Sequence, residues 1–495
     1  ILIQSEKEGK TPEEYVEYWN KRDFEDFTAL NIKFDFFYKT SSQENKQFVQ
    51  DVFKKLEQAG HIYENEIIQL YCNTDKKFLP DRYVIGTCPY CKADDQYSDL
   101  CEKCGRVPEE IENPHCSICG QPPTKEKTKH YFFKLKNFSN QLSQYLENNQ
   151  NLQKDVKKYV QNWIKDGLTD WDITRDISWG IPIPVDGEKK KVFYGWFDNH
   201  LAYISSTIKF LNDSGKDGKK FWNDSDIYHF IGKDIVYHHY LFLPAMRLGI
   251  GEEYKLPDYI PTRGHLTLQS KKISKSRNWY IGLKDFLGIF PADYLRFYLI
   301  SINPYSQDDL NFNWDEFATK INSELIGNLG NLVNRALGFT LKSFDGVVPD
   351  PDEFDNMDKE SEKMIKEFVT ELSILMEKNH LDRALKMILQ FSAHFNQYFQ
   401  HKEPWKNGPG TNSCVFLSVN AVRSLAIAIY PFMPDSSQKI WVQLGLEGNV
   451  STQMFDQISN ITLNQGHKLG SVSPLFEKVE ESVIDEQKSK LGDSN

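Results

Sequence analysis

Lys272-Ile273-Ser274-Lys275-Ser276 places two lysines three residues apart, with two serines, on a short Gly- and Ser-flanked loop. That composition suits a polyphosphate being split. In phosphoryl and nucleotidyl transfer a protein mainly positions groups and neutralises charge, and lysine ammonium groups act as mobile point charges for a departing pyrophosphate. A five-residue Lys/Ser stretch alone also fits a solvated surface turn, so the rest of the chain must decide.

The cysteines carry a second chemistry. Cys88-Pro89-Tyr90-Cys91 and, after nine residues, Cys101-Glu102-Lys103-Cys104-Gly105 form two turns that each present two thiolates to one tetrahedral ion. Four sulfurs fill the shell and leave no position for water, so the expected zinc is structural. Cys116-Ser117-Ile118-Cys119-Gly120 is a third knuckle and half a site, with His115, His130 and Cys72 as candidates for its missing ligands. Cys414 lies in an apolar helical stretch and reads as core. Three Cys-x-x-Cys pairs among eight cysteines indicate metal use in a reducing compartment rather than a disulfide framework.

These groups need a scaffold. The 495 residues suggest roughly three domains at about 150 residues each. Hydrophobic content of 40 % and aromatic content of 14 % describe a globular chain. Apolar runs are broken by charge well short of the ~20 residues that span a bilayer, so no membrane segment is expected. The net charge of −11 disfavours indiscriminate nucleic-acid binding, and a nucleic-acid partner would require a local surface. The chain opens Ile1-Leu2-Ile3-Gln4, without methionine or a basic-then-apolar leader.

Thr11-Pro12-Glu13-Glu14 predicts a helix with a capping box, running to about Asp26. Asn31 to Phe37 alternates as a strand would, and Ser42 to Ala59 is amphipathic. Val192 to Phe197 and Ile227 to Phe230 read as β-rich runs between helices, the pattern of an α/β sheet. After about Asn322 the chain turns helical. Phe368, Leu372, Leu375 and Met376, then Leu385, Ile388, Phe391, Phe395 and Phe399, recur as the core stripes of a bundle. The last fifteen residues read as a solvated tail.

Leu79-Pro80-Asp81-Arg82-Tyr83, Trp171-Asp172-Ile173-Thr174-Arg175-Asp176, Tyr194-Gly195-Trp196-Phe197-Asp198, Phe230-Ile231-Gly232-Lys233-Asp234-Ile235 and Lys272 to Ser276 stand in one order. Together with the knuckles, that order resembles the methionyl-tRNA synthetases, class I aminoacyl-tRNA synthetases, of an archaeal or related type. The resemblance implies an α/β fold: a Rossmann-type catalytic domain with a zinc-knuckle insertion, then an α-helical anticodon-binding bundle. The implied boundaries are 1–65 and 171–262 for the two parts of the catalytic domain, 66–170 for the insertion, 263–325 for the lysine-loop subdomain, 326–480 for the bundle and 481–495 for the tail.

The implied reaction is activation of methionine by ATP, with Mg²⁺, followed by transfer to tRNA(Met). The expected setting is the cytoplasm, with no membrane partner. Lys272, Ser274, Lys275 and Ser276 take the catalytic loop, and Lys275 is the better candidate for the pyrophosphate charge. Arg175, Gly232, Asp234 and Lys275 would meet ATP. Trp196, Tyr203 and His239 would line the methionine pocket, where aromatic edges attract a polarizable thioether. Asn331, Arg335, Pro404 and Trp405 would read a CAU anticodon by hydrogen bonding and stacking.

The chain also departs from the pattern. Ile273 stands for the loop's usual methionine, Asn199-His200 for a small residue and proline, and His238 and Leu243 for aromatics of bacterial members. The family's His-Ile-Gly-His signature has no counterpart, so the expectation is of a chain that starts after it. A class I synthetase for another amino acid and a non-catalytic tRNA-binding paralogue are the alternatives.

Overall fold

The computed structural model describes residues 1–492 except 99–100, 102, 105, 107, 109, 189–190, 252 and 276. The chain divides into two compact units. One comprises Ile1–Glu25 with Phe34–Pro261, the other Asp26–Lys33 with Thr262–Asn495.

In the first unit the expected capping box opens helix Pro12–Ala29. The Glu14 N–H donates to Thr11 Oγ1 (3.2 Å) and the Thr11 N–H to Glu14 Oε2 (2.9 Å). Helix Gln43–Gln58 starts at Ser42, whose hydroxyl accepts from the Asn45 N–H, and buries Val49, Val52, Phe53 and Leu56. These side chains join Phe133, Phe193, Phe197, Tyr240 and Phe242 in one core. Strand Ile62–Cys72 pairs antiparallel with Thr124–Phe133 from Ile62↔Phe133 to Tyr71↔Thr124, a ribbon with Lys77–Phe78 and Trp171–Asp172 at its edges. At its far end a small sheet of Gln96–Tyr97, Val84–Thr87 and Glu112–Cys116 carries the cysteine turns. Tyr228 and Tyr259 bridge in parallel, with helix Leu243–Gly249 lying between them in sequence, the crossover of an α/β unit.

Three expected strands differ. Ile227 to Phe230 holds only the isolated bridge at Tyr228, and the strand there is Ile231–Gly232, where the chain pairs regularly. Residues 31–37 form no ladder among the described residues: alternation is present, but no neighbouring strand exchanges backbone hydrogen bonds with it. The run 192–197 is strand only at Val192–Phe193, because Gly195–Asp198 closes into a helical turn that brings Trp196 round.

The second unit begins with a three-stranded sheet of Lys271–Lys272, Leu266–Leu268 and Leu310–Phe312 and continues as a helical bundle. The expected stripes are its core: Phe368, Leu372, Leu385, Ile388, Phe391, Phe395 and Phe399 are buried, with Leu375 and Met376 packed against them. Helix Thr411–Ile429 is long and apolar enough to cross a membrane, an exception to the expectation from charge spacing. It is the central helix of the bundle, buried along almost its whole length, Cys414 included. Residues 481–495 are not wholly a solvated tail. Glu481–Ser489 is a helix that buries Ile484 against the bundle, with Val483 and Leu491 packed beside it and Lys488 paired with Asp315.

Candidate functional site

Cys88, Cys91, Cys101 and Cys104 bring their sulfurs within 4.8 Å of one another. Cys88 and Cys104 Sγ lie 3.8 Å apart, and Cys91 and Cys101 Sγ 3.6 Å. Zinc–sulfur bonds of about 2.3 Å in a tetrahedron require sulfurs roughly 3.8 Å apart, so the thiols already have the spacing of a zinc shell. Burial pushes the Cys88 thiol up, but the amide N–H groups of Cys91 and Tyr90 and the neighbouring thiols more than offset it and bring it to about 7. Gly105 lies outside the described residues.

The third knuckle also finds its partners. Cys116 and Cys119 converge with Cys72 and Asp75, again within 4.8 Å. Cys72 and Cys119 Sγ lie 3.4 Å apart, and Asp75 Oδ2 accepts from Cys72 Sγ at 3.2 Å and Cys116 Sγ at 3.1 Å. Of the three candidates named from sequence, Cys72 joins the set. His115 lies beside Asn113 and Asp95 instead, and His130 is enclosed by Asp172 and Asp176. Asp75 gives no signal in a Cys-x-x-Cys pattern, because Cys72-Asn73-Thr74-Asp75 is the same turn with a carboxylate in the second place.

In the first unit Tyr203 and His239 meet directly, and Trp196 joins them through the ring of His200. The His239 Nδ1–H donates to the Ile235 carbonyl (3.1 Å), which fixes the tautomer, so Nε2 accepts from the Tyr203 hydroxyl at 3.2 Å. His238 and His239 are consecutive on the π-helical turn His238–Phe242. The His238 ring stacks on Trp196 with centroids 4.3 Å apart. Burial, with Arg247 nearby, holds His239 down to about 4, so its ring is neutral at physiological pH.

Gly232 and Asp234 are adjacent: a Cβ at Gly232 would fall 2.5 Å from Asp234 Oδ1, so glycine is needed for the carboxylate to fold back. Arg175 lies on strand Thr174–Arg175, its guanidinium 3.8 Å from the centre of the Tyr194 ring and donating to the Thr174 carbonyl at 2.7 Å.

The lysine loop belongs to the second unit. Lys272 ends strand Lys271–Lys272, and Ser274 and Trp279 exchange backbone hydrogen bonds of 2.9 and 2.8 Å. Trp279 Nε1–H anchors the hairpin to the Leu268 carbonyl (2.9 Å). Lys272 and Lys275 are exposed at the tip, and Ser276 lies outside the described residues.

The bundle face assembles as a group. Asn331 and Arg335 lie four apart on helix Asn331–Ser343. Asn331 Nδ2 donates to Asn396 Oδ1 (2.8 Å), and Arg335 Nη2 to Gln400 Oε1 (2.8 Å). The Arg335 guanidinium lies 5.1 Å from the Phe399 ring centre and 5.8 Å from that of Trp405. Trp405 is 44 % exposed, on the turn Pro404–Lys406, whose Pro404 is buried. Asn396, Phe399 and Gln400 were missed; the signal was a second polar pair four apart, on helix Leu381–Lys402.

Residues 1–337 match the family described as tRNA synthetases class I (M), and residues 348–495 the anticodon binding domain of methionyl tRNA ligase. Together with the site these define a class I aminoacyl-tRNA synthetase, with a Rossmann-type catalytic region and a helical anticodon domain. The methionine–tRNA ligase of Methanopyrus kandleri is 41 % identical over 99 % of this chain and 74 % of its own length. That of Pyrococcus furiosus is 39 % identical over 98 % of this chain and 69 % of its own. Mycobacterium tuberculosis methionyl-tRNA synthetase in complex with methionyl-adenylate shares the fold, with a TM-score of 0.75 at 24 % identity, covering 91 % of this chain and 84 % of that one. The chain belongs to the methionyl-tRNA synthetase family.

Proposed function

We propose that this protein activates methionine with ATP and esterifies it to tRNA(Met), with the residues above in defined roles. The methionine carboxylate attacks the α-phosphorus of ATP, forming methionyl-adenylate and releasing pyrophosphate. A terminal ribose hydroxyl of the tRNA then takes the acyl group and AMP leaves. Lys275, with Lys272, neutralises charge growing on the pyrophosphate, and Ser274 and Ser276 complete the loop. Gly232 lets the nucleotide approach the backbone, Asp234 accepts from ribose hydroxyls and Arg175 adds positive charge near the nucleotide. Magnesium accompanies ATP as the counter-ion of its phosphates.

The observation that carries this reading is the Tyr203–His239 hydrogen bond beside Trp196. It presents a hydroxyl oxygen and aromatic faces, and no charge, to a thioether. Trp405 and Arg335 supply the stacking surface and donors for unstacked anticodon bases. Zinc suits both ligand sets: four thiolates in the first, three thiolates and a carboxylate in the second. Four ligands in each set would leave no open position, so each ion would fasten the insertion and take no part in acyl transfer. Free thiols in two such sets suit the reducing cytoplasm.

The test is ATP–pyrophosphate exchange by the protein made from its whole coding sequence, assayed with each proteinogenic amino acid in turn. Methionine-dependent exchange is expected. Exchange driven by another amino acid would favour a different class I specificity, and tRNA binding without exchange would favour a non-catalytic paralogue.

A further inference from the structure

The amino-acid pocket contains two histidines to which the reading above gives no role. His200 follows the helical turn Gly195–Asp198, and its Nδ1–H donates to the Trp196 carbonyl at 2.7 Å. Its ring lies nearly parallel to the indole, 24° and 5.5 Å away, and edge-on to His239 at 4.7 Å. His238 covers Trp196 at 4.3 Å and 25°, and the two imidazoles are 5.6 Å apart. Trp196 is thus held by two flat rings, one of which also touches the ring that receives the Tyr203 hydroxyl.

The hydrogen-bond inventory sets this arrangement apart from ordinary core packing. Because His200 Nδ1 carries the proton, its Nε2 presents a lone pair, and that atom is buried with no donor. His238 Nδ1 is likewise buried without a partner. Leaving two ring nitrogens bare costs stability that hydrocarbon rings of similar shape would not cost. Native structures concentrate such costs where a site needs them. Burial, reinforced by the neighbouring imidazoles, also keeps both rings uncharged at neutral pH, so the stack offers polarizable faces and no ion to an incoming side chain.

We propose that His200 and His238 are positioning residues that fix the Trp196 indole over the amino-acid side chain and thereby set discrimination between methionine and its isosteres. The role rests on reading Trp196, Tyr203 and His239 as the amino-acid pocket. A thioether is distinguished from a methylene chain by polarizability and edge contacts, and such contacts discriminate only when the ring that makes them is held in place. A freely rotating indole would accept norleucine, in which a methylene stands for sulfur, almost as well.

The experiment measures KM for methionine, KM for ATP and kcat in pyrophosphate exchange for the complete enzyme. It compares His238→Ala, His238→Phe, His200→Ala, His200→Asn and Trp196→Ala, with norleucine as competing substrate. Both histidine-to-alanine changes should raise KM for methionine about ten-fold and lower the methionine-to-norleucine ratio of kcat/KM by a similar factor. KM for ATP and kcat should stay within about two-fold, the pattern of a lost positioning contact rather than a damaged fold. His238→Phe should restore the ratio by keeping a flat ring on Trp196. His200→Asn should restore part of it, because its Nδ2–H reaches the same carbonyl. Unchanged methionine KM and ratio in the alanine variants, while Trp196→Ala raises KM, would overturn the proposal and leave the pocket intact. An unchanged KM in Trp196→Ala would overturn the pocket itself. A fall in kcat with both KM values unchanged would also overturn the proposal. Should His200→Ala not fold, the two His238 variants, on a half-buried ring, decide alone.

Discussion

His130 lies at the base of the long ribbon with both ring nitrogens against carboxylates, Nδ1 2.7 Å from Asp172 Oδ2 and Nε2 3.0 Å from Asp176 Oδ2. Carboxylates only accept, so both nitrogens carry protons and the ring is an imidazolium. Burial opposes that charge, but the two aspartates outweigh it and raise His130 above its ordinary 6.5. Burial likewise pushes Asp176 up, and His130, Lys191 and Thr128 bring it to about 2. The raised histidine value means its contribution is fully present below pH 6.5 and disappears as pH rises through the folded value. The depressed Asp176 value means its contribution is present above 3.8 and fades as pH falls towards 2. Substituting His130→Leu removes one partner of a buried pair, a change that costs about 3–5 kcal/mol. The lower end applies, because Asp176 keeps Lys191 and Thr128 and Asp172 keeps the Thr174 N–H at 3.2 Å and Arg175 at 3.5 Å. Native-state hydrogen exchange of strands Ile62–Cys72 and Thr124–Phe133 reads that local stability directly. Near pH 6 the variant should open on the order of 10²-fold more often, since about 1.4 kcal/mol is ten-fold. The gap should narrow steadily towards pH 9, after correction for intrinsic rates. A gap of constant size across that range would refute the charged state assigned to His130.

Metal analysis of the purified protein should find two zinc ions. Cys101→Ser should remove one and Cys72→Ser the other, since a thiolate site binds metal only when complete; unchanged content in either variant would sink that assignment. Trp405→Ala should lower kcat/KM for tRNA bearing CAU by about ten-fold or more, given about 1–3 kcal/mol per stacked base, and leave methionine-dependent exchange intact. Equal loss with an altered-anticodon transcript would count against base reading by this face. Lys275→Ala should slow exchange by on the order of 10²-fold, the scale for removing a preorganised charge-stabilising group, and a near-normal rate would exclude it from the pyrophosphate side.

What is legible in the sequence depends on how local the physics is. The capping box at Thr11 closes between Thr11 and Glu14 and the first cysteine set within the single stretch from Cys88 to Cys104, and both appear where spacing places them. The second set joins Cys72 and Asp75 to a knuckle more than forty residues later, through the pairing of Ile62–Cys72 with Thr124–Phe133. That ribbon puts the two ends together, and no spacing rule contains it. Asn31 to Phe37 alternates correctly yet pairs in no ladder among the described residues, because a strand is defined by the neighbour that takes its hydrogen bonds. The bundle stripes were readable because 3.6-residue periodicity is intrinsic to the helix. Asn396 and Gln400 were not, because polar residues on a helix face acquire meaning only from the residues opposite them.

Both proposed recognition sites lie beside departures from α-helical winding. At His238–Phe242 the π-helical turn offsets two consecutive histidines, so that one stacks on Trp196 while the next receives the Tyr203 hydroxyl. At Ile321–Gly330 a longer π segment leads directly into Asn331. Wider winding leaves carbonyls open to side chains, and there the Asn328 carbonyl accepts from Asn396 Nδ2 at 2.9 Å. Asn396 in turn accepts from Asn331 through its Oδ1. Its amide is therefore used at both ends, with the backbone on one side and Asn331 on the other. Asn396 Nδ2 also meets Asn328 Oδ1 and the Ser392 carbonyl, both at 3.2 Å, so the amide is held from several sides. These bonds hold the Asn331 side chain in place through Asn396, as a proposed base-reading role would require.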